Sequence, residues 1–180
     1  MKRMVMVAMA MGLVLAVASP AAEQARGAAA ANPVLVLETS RGTIQIELLR
    51  GDAPKTVDYI IALVKKHFYR GLRFHRVERT LVQIGDPNSR NVTRRNLWGQ
   101  TGTTPTVGVI ETSKRASHLR GAVGLAHAGT AKNASSQFYI MKAASPGLDG
   151  DFTVFGRVTS GMAVVDALKF EDVLKQATIK

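Results

Sequence analysis

Three short stretches offer side chains that can do chemistry without a metal or a nucleophile. Tyr69 to Val77 reads "YRGLRFHRV" and sets Arg76 in an apolar, β-prone run beside His75. Strand alternation there puts Phe74 and Arg76 on one face and His75 on the other. In "SSQFYI", Gln137 and Tyr139 share a face and Phe138 points the opposite way; in "GLAHAG", Ala126 is set apart from Leu125 and His127. An arginine, a glutamine amide and apolar surface converging from such strands suit a shallow pocket for something small, uncharged and carbonyl-bearing. An arginine in a strand is ordinarily a rim charge whose stem covers apolar surface, so "FHRV" taken alone argues for no more than that.

Other chemistries are poorly supplied. The chain has no cysteine, which excludes disulfides, thiolate metal sites and a cysteine nucleophile. His67, His75, His118 and His127 lack the spacing of a metal-ligand set. Ser135 and Ser136 lie near a histidine, yet there is no G-x-S-x-G.

The elements that must position these residues are mostly strands. Val34–Thr39 and Thr43–Leu49 flank the turn signal Ser40-Arg41-Gly42 and predict a hairpin, with Ile44, Ile46 and Leu48 on its buried face. In "GDAPKTVDYIIALVKKHFYRG" Asp52 can cap a helix, Pro54 suits its first turn, and Val57, Ile60, Ile61 and Val64 form its buried stripe. Short strands are expected at 73–77, 81–84, 122–125, 136–141 and 154–158, a second helix at 162–170, and a last short strand at "ATIK". Residues 85–118, rich in Gly, Thr, Asn and Arg, read as a long surface loop. Many antiparallel strands with two helices predict a barrel or sandwich with helices over its ends.

The N-terminus differs from the rest. Lys2 and Arg3 precede an apolar run from Met4 to Ala18 that ends in Ala16-Val17-Ala18. The run is short for a membrane span and ends as a signal-peptidase site does. We read 1–18 as a cleaved signal peptide, 19–32 as a small-residue linker and 33–180 as the functional domain, exported to the periplasm or secreted, with no membrane span after cleavage. The formal charge is +11 over 180 residues. The basic residues come as scattered pairs, such as Lys65-Lys66, Arg94-Arg95 and Lys114-Arg115, without the aromatic interleaving of a single-strand binder. A solvated basic face is expected, and no nucleic-acid partner.

"APKTVDYIIALV", "YRGLRFHRV", "GDP", "HLRGAVGLAHAG", "SSQFYI" and "GLDGDFTVFGRV" stand in the order and approximate spacing of the cyclophilin family of peptidyl-prolyl cis–trans isomerases, and the resemblance runs from about Val34 to Leu168. It implies a mainly β fold: an eight-stranded antiparallel closed barrel capped by two helices, with the active site on its outer surface. His75 would then be structural, hydrogen-bonded inside the barrel. The resemblance puts Arg76 at the catalytic arginine and Gln137 at the glutamine that holds the substrate backbone. Tyr139 takes the place of a phenylalanine lining the proline pocket, Leu148 that of a pocket leucine, and Phe152 that of a histidine. Leu81 and Val82 stand for a Phe-Met pair flooring the pocket, and the main chain of Ala126 and His127 would pair with the peptide. The run from Arg76 to Gly85-Asp86 is one residue shorter than in the family, so Gln83 either matches a second glutamine or is displaced by Ile84.

Implied partners are proline-containing unfolded or flexible polypeptides, met by a monomer that needs no cofactor. Gly147 stands where an indole often contributes to cyclosporin binding, so weak cyclosporin binding at most is expected, unless the 85–118 loop lays Trp98 over the site. A peptide-binding module or chaperone with little turnover is the alternative, motivated by the departures at Leu81, Gln83 and Gly147.

Overall fold

The computed structural model describes residues 32–180; the expected signal peptide at 1–18 and all but the last residue of the linker lie outside the described residues. Eight strands form one antiparallel sheet: β1 (Val34–Thr39), β2 (Gly42–Leu48), β3 (Arg76–Val77), β4 (Leu81–Ile84), β5 (Ala122–Leu125), β6 (Phe138–Met141), β7 (Val154–Ser160) and β8 (Leu174–Ile179). Their spatial order is β3-β4-β6-β5-β7-β2-β1-β8. The sheet curls until its edges meet, but no ladder joins β3 to β8. The seam is an isolated bridge, Arg73 to Val173, with Gly71 N–H donating to Leu174 O at 2.8 Å and Phe74 N–H to Asp172 O at 3.0 Å. The expected closed barrel is thus an overstatement: the sheet is curled, and its edge strands are tied only by this short seam.

Period-two alternation fills the interior. Leu35, Leu37, Ile44, Ile46, Leu48, Val82, Ile84, Val123, Leu125, Phe138, Ile140 and Phe155 are buried in one cluster. Phe138 meets Tyr69 and Phe155 edge-on, at 5.4 and 6.1 Å between ring centres. A second, smaller cluster of Leu81, Ala122, Tyr139, Met141 and Val154 forms outside the first, with Ala126, Leu148 and Phe152 packed against it. Alternation makes both: in β4, Val82 and Ile84 turn inward while Leu81 and Gln83 turn outward.

Helix α1 (Pro54–Lys65) buries Thr56, Val57, Ile60, Leu63 and Val64, and Pro54 sits in its first turn. Leu63 joins the buried stripe and Ile61 only partly does. Asp52 does not cap this helix. Its carboxylate takes hydrogen bonds from Ser113 and Arg115, and Glu111 reaches across from the long loop to accept from Lys55 N–H at 3.0 Å and Thr56 N–H at 2.8 Å. A carboxylate on free N–H groups at a helix start is favourable whichever residue supplies it. Helix α2 (Met162–Ala167) is shorter than the periodicity predicts: it stops before Leu168, whose ψ of 139° is not helical.

The 85–118 segment carries no strand, as expected, but two 3-10 stretches, Pro87–Arg90 and Val92–Leu97, shape its first part. Trp98 does not cover the outer cluster. Its ring centre lies 5.6 Å from that of Phe170, and its N–H donates to Asn91 O at 3.2 Å. No described helix is long and apolar enough to cross a membrane.

Candidate active site

The site is built on one row of strand partners. Arg76 pairs with Gln83, Gln83 with Tyr139, and Tyr139 with Gly124, across β3, β4, β6 and β5. Paired residues on neighbouring strands point to the same side, so these side chains meet on the outer face. The row spans residues up to 63 apart in the chain (Arg76 to Tyr139), and only the register brings them together.

Arg76 extends from this row with about half its side chain exposed. Its Nε donates to Glu78 Oε1 at 2.7 Å and one terminal nitrogen to Gln83 Oε1 at 3.2 Å. The Gln83 amide nitrogen donates to Gln137 Oε1 at 2.8 Å. The Gln137 nitrogen in turn donates to Gly99 O at 3.1 Å and Thr101 O at 2.6 Å. Buried Asp86 fixes this loop from beneath, accepting from Thr101 N–H at 3.1 Å and the Thr101 hydroxyl at 2.8 Å. Both amide orientations follow from the chain of donors, which runs from the guanidinium to the 99–101 loop.

His75 belongs to this network and not to the barrel interior. Its Nε2 lies 3.1 Å from Gln137 Oε1. Because the Gln137 oxygen is an acceptor, the ring carries its proton on Nε2. Burial pushes the His75 pKa below the ordinary imidazole value. The expectation failed because 74–75 lies between the seam and β3, outside a regular ladder, so strict alternation does not hold there: Phe74 is wholly buried in the core while Arg76 is exposed.

Beside Arg76 lies the outer apolar cluster, with Tyr139 and Leu81 as its floor and Leu148 and Phe152 against it. Val82 does not line it. That side chain is fully buried among the barrel's interior residues, since only alternate residues of β4 face outward. Gln83 is the residue that faces outward beside Arg76, and Ile84 is in the core. On the other side of Gln83 opens a polar cavity of about 260 Å³ lined by Gln83, Gly99, Thr101, His127, Asn133 and Gln137.

The wall between the two depressions is aromatic. His127 and Phe152 stack with centres 4.3 Å apart and planes 20° apart, and His127 Nε2–H donates to Asp151 O at 2.9 Å. The Ala126 N–H is engaged by Gln137 O at 2.9 Å, so it is not free for a peptide. Gly147 is exposed, with open space around its α-carbon.

Two positions that support Tyr139 had no sequence signal. Gly124 lies under Tyr139, where a β-carbon would come 2.3 Å from the ring's Cζ. His118 is fully buried and contacts the Tyr139 hydroxyl.

A family model described as "Cyclophilin type peptidyl-prolyl cis-trans isomerase/CLD" matches residues 34–179. Among similar proteins, a peptidyl-prolyl cis-trans isomerase of Helicobacter pylori is 36% identical over 142 residues, 77% of this chain and 82% of that one. A peptidyl-prolyl cis-trans isomerase-like 3 of Gallus gallus is 35% identical over 137 residues, covering 75% and 81%. A cyclophilin-type isomerase of Cryptosporidium parvum, crystallised in the presence of the dipeptide Ala-Pro, superposes with a TM-score of 0.71 at 22% identity, covering 82% of this chain and 98% of that one. That likeness speaks to the fold, while the family match and the relatives above one-third identity speak to descent. The chain belongs to the cyclophilin-type peptidyl-prolyl cis–trans isomerase family.

Proposed function

We propose that Arg76 is the catalytic residue of this isomerase and that the outer cluster takes the proline ring. The barrier to rotation about an X-Pro bond is amide resonance, about 18–20 kcal/mol, and uncatalysed exchange takes tens to hundreds of seconds. Lowering it requires tighter binding of the twisted bond than of either planar form. Twisting removes the resonance and leaves a lone pair on the proline nitrogen. A guanidinium fixed nearby donates to that lone pair, an interaction a planar amide accepts poorly.

The observation that carries this reading is the anchoring of Arg76. Glu78 holds the guanidinium by Nε and Gln83 by one terminal nitrogen, and the planar fork keeps its remaining donors in a fixed direction. Leu81, Tyr139, Leu148 and Phe152 supply apolar surface for the ring, while Gln83, Ala126, His127 and Gln137 border the path of the flanking peptide. Gln137 already gives its amide hydrogens to the 99–101 loop, so its contribution is to hold that loop and to orient Gln83; a direct bond to the peptide would require exchange with Thr101.

The substrates in this reading are prolyl bonds in unfolded or flexible chains. In the same reading residues 1–18 act as an export signal, and the clients are met outside the cytoplasm. The test is an isomerisation assay on a proline peptide with the mature domain and its Arg76→Ala variant. Loss of about ten- to a thousandfold in kcat/KM, the range for one preorganised donor, is expected with the fold intact. Unchanged turnover in Arg76→Ala would remove the assignment. Peptide binding by the wild type without turnover would favour the binding-module alternative.

A further inference from the structure

We propose that His118 is a positioning residue of the proline pocket, holding its floor and its rim in one geometry, with Gly124 and Asp149 as its accessories. The inference rests on the reading of the outer cluster as the proline pocket.

His118 itself lies out of reach of a peptide. Its ring is wholly buried behind the cluster. Four hydrogen bonds radiate from this residue. Its main-chain N–H donates to Asp149 Oδ1 at 2.8 Å, its Nδ1 lies 2.6 Å from the same oxygen, and its carbonyl accepts Ser145 N–H at 2.8 Å. The fourth joins Nε2 to the Tyr139 hydroxyl at 2.8 Å. The first three bind both ends of the 145–149 turn, which carries Leu148 and leads to Phe152; Phe152 N–H also donates to Leu148 O, at 3.3 Å. The fourth binds the floor. One side chain thus joins elements that are separate in the chain and face each other across the pocket.

The proton directions are determined. Asp149 is held below the ordinary carboxylate range, chiefly by its bonds from His118, so it is an acceptor. In the neutral imidazole Nδ1 therefore carries the proton, and Nε2 is left as the acceptor. The Tyr139 hydroxyl donates to it, and burial raises that hydroxyl's pKa, which keeps it protonated. Every polar atom of the ring and the phenol's proton are satisfied, as a buried polar chain requires.

The arrangement is shaped for a tyrosine. A side chain at position 124 would strike the ring's Cζ and hydroxyl oxygen at 2.3 and 2.4 Å, so the bare Gly124 is what lets the phenol lie at that depth. The rings of His118 and Tyr139 are 5.9 Å apart and 21° from parallel. A phenylalanine would fill the same floor but leave His118 Nε2 buried without a partner.

Removing the link should loosen the pocket without touching Arg76. The experiment measures both turnover and equilibrium binding of an Ala-Pro-containing peptide for the full mature domain, at a temperature well below each variant's Tm. The variants are Tyr139→Phe, His118→Ala and the double variant. One hydrogen bond corresponds to about a two- to tenfold change. Tyr139→Phe is expected to weaken peptide binding by that factor, with the change in KM exceeding that in kcat. In the His118→Ala background the same substitution should change binding by less than about 1.5-fold, because the partner is already gone. His118→Gln, which can still reach the phenol, should bind better than His118→Ala. A role in stability alone would lower Tm and leave binding by the folded protein unchanged; that outcome, or additive effects in the double variant, overturns the inference. A wild type that binds but does not turn over would defeat the isomerase reading while the binding series still decides the role of His118.

Discussion

The amide of Gln83 donates to the amide oxygen of Gln137 at 2.8 Å, and this bond has a direction. The Gln83 oxygen is taken by Arg76, and the Gln137 nitrogen is taken by Gly99 and Thr101. Neither amide can flip without placing like atoms together. Gln83→Glu tests this because it is isosteric. The carboxylate could still accept from Arg76, but it would face the Gln137 oxygen with no proton to give. We expect a loss of about 1–3 kcal/mol in stability, the cost of a spoiled buried polar contact, measured by chemical denaturation, and a larger loss of kcat/KM than Gln83→Leu shows per unit of lost stability. Equal activity in Gln83→Glu and wild type would mean that the direction of this chain is immaterial.

Glu78 holds Arg76 by Nε in a pair that is about half exposed on both sides. Exposed ion pairs contribute roughly 0–1 kcal/mol. Glu78→Ala should therefore lower kcat/KM by no more than about fivefold, and added salt should bring the wild type towards the variant. A loss as large as that of Arg76→Ala would mean that Glu78 takes part in the chemistry directly.

The row Arg76, Gln83, Tyr139, Gly124 explains what was legible in the sequence and what was not. Alternation within single strands gave the right face for Gln137, Phe138, Tyr139, Ile44, Ile46 and Leu48. It failed for His75, in an irregular stretch, and the family pair at Leu81 and Val82 could not both face outward once β4 proved regular. Register across strands is set by contacts among residues far apart in the chain, so nothing local in "LVQI" says that Gln83 stands opposite both Arg76 and Tyr139. The Glu111 bonds at the start of α1 leave no local signal for the same reason: 55 or 56 residues separate acceptor from donors. The seam between the barrel edges joins segments about 100 residues apart, which alternation alone cannot locate.

Stability should fall in mild acid through His75. Burial depresses its pKa in the folded protein, whereas the unfolded chain takes a proton near pH 6.5. Below that pH the unfolded state binds the proton and the folded state resists it, so the contribution is fully present above about pH 6.5 and is lost progressively as pH drops towards the folded value. A proton added at Nδ1 would also disturb the ring that donates to Gln137. Denaturation midpoints between pH 7.5 and 5 should decline for the wild type and decline less for His75→Gln, in which no group titrates in this range at that position. Parallel profiles for the two proteins would assign the slope elsewhere.

Inhibition separates the proline pocket from the surface around it. Gly147 is exposed, at the place where the family resemblance expects an indole that contributes to cyclosporin binding. Trp98 does not substitute for it, because that ring packs on Phe170 and its N–H is taken by Asn91. Loss of a large aromatic anchor commonly costs about 2 kcal/mol or more, which is about thirtyfold in affinity. A proline ring requires only the smaller cluster of Leu81, Tyr139, Leu148 and Phe152, so catalysis is not expected to suffer in proportion. Activity should therefore be only weakly sensitive to cyclosporin. A β-carbon at position 147 would meet nothing within 4 Å, and Gly147→Trp should lower the inhibitory concentration by about tenfold or more with little gain in turnover. Trp98→Ala should leave inhibition unchanged. Tight inhibition of the wild type that persists in Trp98→Ala would show that the remaining surface, including Phe152 and the His127 stack, binds the drug without an indole.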